Sequence, residues 1–366
     1  GVMALFALYV VDRTQTRHSL RRNFPVLARF RYLFEHLGEF FRQYFFAMDR
    51  EEMPFNRAER SWVYRAAKKV DSTIAFGSTR DLKPAGTILF ANCAFPKLQE
   101  EGLDTSAVTI GPFSREPYQA TSVFHISAMS YGAISAPAVL ALSQGAKSAG
   151  IWMNTGEGGL SAEHLEGGAD LIFQIGTAKY GVRDASGGLC PDRLSQIAAH
   201  EQVKMFEIKL SQGAKPGKGG VLPGSKVNAE IARVRGIPLG EDSLSPNRHP
   251  EVSSSEDLLD LLETVRSVSG KPVGIKAVIG DHRWLQALCS TINVRGIASA
   301  PDFITVDGAE GGTGAAPASL IDYMGLPLRE SLPLVVDILK KHGLRERIRV
   351  IASGKLINPA QIAWAL

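Results

Sequence analysis

Several charged and amide side chains stand inside or just beyond runs that are otherwise apolar. Glu157 lies within NTGEGG (154–159), and Lys209 falls two residues after Glu207 in VKMFEIKL (203–210). On an extended strand that spacing puts Glu207 and Lys209 on one face. Lys276 sits in the middle of PVGIKAVIG (272–280). A lysine in an apolar strand is costly unless it meets an anion or an electron-rich ring. Glu207 and Asp307 would satisfy it as ion-pair partners, and a bound ligand is the other reading. Asn154 and Gln174 can hydrogen-bond the edge of a heterocycle or cap loops. Gln212 and Lys215 lie in the long segment SQGAKPGKGGVLPG (211–224), where they can clamp a carboxylate or stand in solvent.

Glycines gather around these residues, in NTGEGG, in SQGAKPGKGGVLPG, in GAEGGTGAA (308–316) and in SGK (353–355). Glycine lets backbone approach a ligand and present N–H donors, which suits a phosphate or a flat ring. None of the clusters reads GxxxxGK[ST], and none has GxGxxG spacing, so tightly bound ATP or NAD is disfavoured. A mononucleotide with one phosphate fits better. No Ser/His/Asp or Cys/His arrangement stands out: His125, His164, His200 and His249 are scattered and read as structural or surface groups. Lysines, amides and backbone donors around a ring suit a cofactor that carries the chemistry itself.

The elements that must position these groups alternate along the chain. Short β-rich runs occur at 122–130, 150–156, 170–176, 203–210, 272–280, 301–310 and 347–355, with helical stretches such as LLDLLETVRSV between them. Continuous apolar strands buried on both faces mark a parallel sheet. Polar, glycine-rich residues follow each strand, as on the C-terminal face of a (β/α)8 barrel, which is favoured over an open doubly wound sheet. Seven strands are countable and a closed barrel needs eight. The chain ends within the seventh helix, NPAQIAWAL (358–366), so the barrel reads as truncated before strand 8.

Three regions follow: 1–70, a helical N-terminal segment; 71–121, a mixed connecting segment; and 122–366, the barrel. The chain has 366 residues, is 45% hydrophobic and contains three cysteines, which excludes disorder and a disulfide scaffold. Cys93, Cys190 and Cys289 are too far apart in sequence to suggest a zinc site. Residues 1–70 carry 13 basic and 7 acidic side chains. No base-stacking or groove-fitting motif accompanies that excess, so nucleic acid is not expected as a partner. Residues 1–11, GVMALFALYVV, are apolar and are followed by Arg13, Arg17, Arg21 and Arg22. They fit equally the end of a membrane-spanning helix, with its basic cytoplasmic flank, and the start of a buried helix.

Read in order, SAMSYGAIS (127–135), NTGEGG, IFQIGT (172–177), EIKLSQGAKPGKGGVLPGSKV (207–227), SPNRH (245–249), IKAV and DFITVDGAEGGTGAAP (302–317) resemble the FMN-binding synthase domain of glutamate synthases. The resemblance covers roughly residues 122–366. The lead-in, from NFPVLARFRYLFE to PFNRAERSWVYRAAKK, is similar to the stand-alone branch, the FMN-binding glutamate synthase family proteins, in which an N-terminal membrane segment is common.

The resemblance implies a (β/α)8 barrel that holds FMN and reduces 2-iminoglutarate, formed from 2-oxoglutarate and ammonia, to L-glutamate by hydride transfer from the flavin. Ala128, Met129 and Ser130 would line the flavin, and Asn154, Thr155 and Gln174 would contact its edge. Lys276 would sit at its N1/O2 side. Gly311, Gly312, Thr313, Gly354 and Lys355 would approach the phosphate, and Glu157, Lys209, Gln212 and Lys215 would hold and polarise the 2-oxo acid. The resemblance further implies an external electron donor, ferredoxin or a reductase subunit, and a cytoplasmic location, with the N-terminus able to hold the chain to the membrane's inner face. The family's iron–sulfur cysteines would lie beyond Leu366, and no amidotransferase domain with its N-terminal cysteine is present. Two alternatives remain open at this point: a flavin barrel acting on another 2-oxo acid or amine, for instance in N-methylglutamate-type synthesis, and a non-redox barrel binding a phosphorylated metabolite.

Overall fold

A computed structural model describes residues 1–366 apart from 72, 74, 75, 103–105, 211–218 and 312–315, with the backbone alone at 43 and 318. The chain divides into two compact units, Gly1–Asn92 and Cys93–Leu366.

The first unit is helical: Val2–Thr14, Ser19–Asn23, Leu27–Phe41 running into a π-turn at Arg42–Phe46, and Arg57–Ala67. The last of these starts where its sequence can cap it. Asn56 accepts the Glu59 N–H at 2.9 Å and Glu59 accepts the Asn56 N–H at 3.0 Å, a reciprocal capping box. The apolar start of the chain forms a helix on which Val2, Met3, Phe6 and Val11 are exposed, so of the two readings the buried helix is not the one found. Its one buried residue is Asp12, whose carboxylate receives Arg29 at 2.7 and 2.9 Å and the Val26 N–H at 3.0 Å. Among the described residues no helix is long and apolar enough to cross a membrane.

The second unit opens with an antiparallel hairpin, β1 (Val108–Ile110) and β2 (Tyr118–Ala120). Six parallel strands follow: β3 (Trp152–Asn154), β4 (Asp170–Ile175), β5 (Val203–Lys209), β8 (Val273–Val278), β9 (Phe303–Asp307) and β10 (Arg349–Ser353). A small ribbon, β6 (Val221–Leu222) with β7 (Ser243–Leu244), intervenes between β5 and β8. In the sheet the six lie in chain order. Helices separate them, among them Pro191–Ala198, Ser255–Ser269, Arg283–Arg295 and Leu328–Lys341. This is an α/β fold, a curled parallel sheet with surrounding helices, as an incomplete (β/α)8 barrel requires.

The expected strand at 122–130 is reduced to one bridge, Ile126 with Met153. The reason is local. His125 lies flat on the Trp152 ring and its Nδ1 accepts the Trp152 N–H at 3.2 Å, taking a donor that a longer ladder would need. Its Nε2–H is given to the Ser122 carbonyl at 2.8 Å.

Strand alternation sorts the sheet's two faces. Leu171, Phe173, Phe206, Ile208, Ile275 and Ile304 pack in the large core with Leu258, Leu262, Val335 and other residues of the helices. On the other face Trp152, Ile172, Met205 and Phe303 form a second apolar cluster with Ile110 and Ala120, so the β1–β2 hairpin packs on this lower layer. Gly274 makes room for it: a Cβ there would stand 2.3 Å from the Phe303 ring.

Candidate functional site

Two residues along each strand from that apolar layer, the same face turns polar. Glu207 follows Met205 and is almost completely buried. A buried carboxylate is tolerated only when hydrogen bonds replace its water, and neighbouring strands supply them. Asn154 Nδ2 donates to its Oε1 at 2.8 Å, Gln174 Nε2 to the same oxygen at 2.6 Å, and Thr305 Oγ1 to Oε2 at 2.5 Å. The Asn154 amide is held at both ends, because its Oδ1 accepts the Gly156 N–H at 2.9 Å. Thr155, fully buried, ties the neighbouring backbone: its hydroxyl donates to the Gly156 carbonyl at 3.0 Å and accepts the Gln174 N–H at 3.1 Å.

Lys276 is on the same level. Its Nζ lies 3.0 Å from Asp307 Oδ2, so the ion pair read from the sequence forms with Asp307. Burial works against its charge, but Asp307 first and then Glu207 outweigh it, holding the lysine pKa above its ordinary value. Farther along β5, Lys209 Nζ stands 3.5 Å from Glu157 Oε1, both side chains half-buried. Glu157 lies against Gly176 at the end of β4, where a Cβ would come within 2.7 Å of the Glu157 Cβ.

Close backbone approach fixes the remaining strand ends. Gly156 has φ +67, and a Cβ there would meet the Met129 carbonyl carbon at 2.6 Å. Ser130 lies equally close to Gly158, and Ala128, Met129 and Ser130 are all half-buried. Past β9 and β10, the Gly308 N–H donates to the Ser353 carbonyl at 2.8 Å and the Gly311 N–H to the Gly308 carbonyl at 2.9 Å. Gly354 at φ +134 and Lys355 at φ +47 turn the chain away from β10.

The structure therefore gathers Asn154, Gln174 and Lys276 around Glu207, sets Glu157 and Lys209 together beyond them, and brings Gly311 and Gly354 to the adjacent ends of β9 and β10. Gln212, Lys215, Gly312 and Thr313 lie outside the described residues. Among the described residues no group of three or more His, Cys, Asp or Glu side chains is gathered as a metal site, and all three cysteines are free thiols.

A strap over the ends of β4 and β5 completes the neighbourhood. Thr177 donates to the Pro246 carbonyl at 2.6 Å, Tyr180 to the Leu244 carbonyl at 3.2 Å and Lys179 to Glu251 at 3.0 Å. Buried His249 donates from Nε2 to the Lys209 carbonyl at 2.9 Å. Burial lowers its pKa and favours the neutral ring.

Comparison with known proteins follows the same residues. A family described as "Conserved region in glutamate synthase" matches residues 97–366. The chain belongs to the glutamate synthase family. The glutamate synthase large subunit-like protein YerD of Bacillus subtilis (strain 168) is 40% identical over 404 aligned residues, covering 100% of this chain and 76% of that protein. The archaeal-type glutamate synthase (NADPH) of Thermotoga sp. (strain RQ2) is 36% identical over 242 residues, or 66% of this chain and 44% of that protein. The archaeal glutamate synthase (NADPH) of Methanocaldococcus jannaschii is 37% identical over 243 residues, with the same two coverages. The chain thus spans less than half of the archaeal-type relatives.

The glutamate synthase family match begins at Lys97 and so takes in the β1–β2 hairpin as well as the sheet. Two residues at the centre of the candidate site, Glu207 and Thr305, do not stand out from the sequence as site residues. The signal for Glu207 was there: in VKMFEIKL it shares its face with Lys209. Thr305 gives no such signal, because threonine is ordinary in a strand.

Proposed function

We propose that this chain is an FMN-dependent oxidoreductase of glutamate synthase type, which reduces 2-iminoglutarate, formed from 2-oxoglutarate and ammonia, to L-glutamate. The observation that carries the proposal is the convergence of a buried lysine and two oriented amides on one level of the sheet's inner face.

The residues fit an FMN. Lys276 gives a buried cation, and the amide nitrogens of Asn154 and Gln174 each have two hydrogens, of which Glu207 takes one. At the ends of β9 and β10 the Glu310 carboxylate lies against Gly308 and accepts the Leu328 N–H, the Asp307 carboxylate lies against Gly311, and a Cβ at Gly354 would stand 3.3 Å from the Gly308 nitrogen. A phosphate held by these glycines would take the place of the Glu310 carboxylate. Asn154, Gln174 and Lys276 would hold the ring side and these glycines the phosphate side. Bound FMN would supply the hydride.

The chain's own side chains do the rest. Lys209 offers an ammonium to a substrate carboxylate or 2-oxo oxygen, polarising the carbon to be reduced. Glu157 holds that ammonium in place and can accept a proton at Oε1 as ammonia replaces the 2-oxo oxygen. The balance is 2-oxoglutarate plus ammonia giving the imine and water, then hydride and a proton giving glutamate. The fixed strap over β4 and β5 keeps Lys209 at the end of its strand.

Purification of the full chain with FMN tests this reading. The expected result is a flavin spectrum that, after chemical reduction, is reoxidised by 2-oxoglutarate together with ammonia, with glutamate as product. A protein that takes up no FMN overturns the reading. Reoxidation by another 2-oxo acid or amine, and not by this pair, would transfer the chemistry to that substrate.

We further propose that the first unit rests on the cytoplasmic face of a membrane. The helix Val2–Thr14 has 13 residues, about 20 Å at 1.5 Å per residue, whereas a bilayer core is about 30 Å thick. Its exposed apolar side chains and the arginines that follow suit a helix lying in an anionic interface. Sedimentation with phosphatidylserine-containing vesicles, and not with phosphatidylcholine alone, is the expected result.

A further inference from the structure

We infer that Glu207 is the positioning residue of the flavin site, setting both the direction of the Asn154 and Gln174 amides and the charge balance around Lys276; this rests on the FMN reading above. The first argument is cost. A buried carboxylate gains little stability over an apolar residue of similar size even when it is fully paired. The sequence offers such residues freely on this face, with Ile172, Met205 and Phe303 one level below. Glu207 nevertheless stands at the middle of the sheet, 1% exposed, between β4 and β8.

The second argument is geometry. Its two oxygens take donors from three other strands, Asn154 of β3, Gln174 of β4 and Thr305 of β9. A carboxylate only accepts, so each amide must turn its nitrogen towards Glu207. The Asn154 oxygen is then directed to the Gly156 N–H, and both side chains are left with one defined orientation. The third argument is charge. Lys276 pairs directly with Asp307 at 3.0 Å, and Lys209 with Glu157 at 3.5 Å. Glu207 has no cation of its own at ion-pair distance among the described residues, so its negative charge acts on whatever occupies the space beside Lys276.

Two substitutions in the full chain separate these effects. Glu207→Gln keeps the shape and removes the charge: FMN is expected to bind with a Kd within about 3-fold of the native value, with a more positive midpoint potential. Glu207→Leu removes the acceptor and leaves two amides unpaired, which corresponds to at least ~10-fold weaker FMN binding. The readouts are Kd by flavin fluorescence and potential by dye equilibration, neither of which needs turnover. Should Glu207→Leu not fold, the Glu207→Gln potential decides alone. If Glu207→Gln only lowers the melting temperature, with Kd and potential native, the positioning role is overturned while the FMN reading stands. If the native chain takes up no FMN, the earlier reading fails and this inference with it.

Discussion

The inner face of the sheet has two levels, one apolar and one polar, built by the same strands two residues apart. Below, Trp152, Ile172, Met205 and Phe303 close against Ile110 and Ala120. Above, Asn154, Gln174, Glu207, Lys276 and Thr305 are joined by hydrogen bonds and charge. The lower level buries area and needs no particular partner. The upper one buries charge and depends on every partner being present. On the proposed function, stability and chemistry fall to different levels of one element, the division known from closed barrels.

The largest expected effect strikes the upper level. Lys276→Met leaves Asp307 without its ion-pair partner and removes the positive charge that faces buried Glu207, at a cost of about 3–5 kcal/mol in urea unfolding, the range for breaking a buried pair. It should also abolish flavin reduction. Phe303→Ala should cost a similar ~3–5 kcal/mol through the cavity it opens, yet leave FMN affinity of the folded protein unchanged. Loss of affinity there would show that the two levels are coupled. Gly274→Ala pushes a methyl into the Phe303 ring and should cost about 1–3 kcal/mol by overpacking, read as a lowered urea midpoint.

The two levels should also answer to opposite ends of the pH scale. Burial takes His125, stacked on Trp152, down to about 4. An unfolded histidine titrates near ~6.5, so its contribution to stability is complete above that pH and is lost on acidification towards about 4. Lys276 is raised in the folded state. Its contribution is therefore complete below the ordinary lysine range and is lost as alkali carries the pH through its folded value. Urea midpoints measured across pH in His125→Phe and Lys276→Met should each flatten one limb only. The smallest effect is expected at the hairpin: Tyr118→Phe removes a 2.9 Å hydrogen bond to Asp170 and should cost about 1 kcal/mol.

Much of this arrangement was legible in the sequence for a physical reason. A strand alternates with period two, so VKMFEIKL already put Glu207 and Lys209 on one face, and glycines after the runs marked ends where backbone comes close. The charge of Lys276 within GIKAV demanded an anion, and Asp307 supplies it. What stayed hidden depends on contacts distant in sequence. Strands as short as Val108–Ile110 carry too few residues to show a period, so the hairpin was invisible as a packing element. The run at 122–130 looks like a strand until the His125 side chain takes the Trp152 N–H. In the first unit, Phe30, Leu33, Phe34 and Leu37 have helical spacing, and they lie in a helix, but spacing does not say which face is covered. All four are exposed.

The bond between Ser127 and Ser353, 2.9 Å between hydroxyl oxygens 226 residues apart, bears on how the sheet assembles. Neighbouring strands can pair as soon as one helical crossover has formed, as Trp152 does with Asp170. β10 is tied back to the start of the unit by Ser127–Ser353 and by Arg349, whose guanidinium reaches the carbonyl of Thr109 in the β1–β2 hairpin, 240 residues away. Joining such distant points carries the highest loop-closure entropy in the unit. The ties between β10 and the start of the unit are therefore expected to form late on folding.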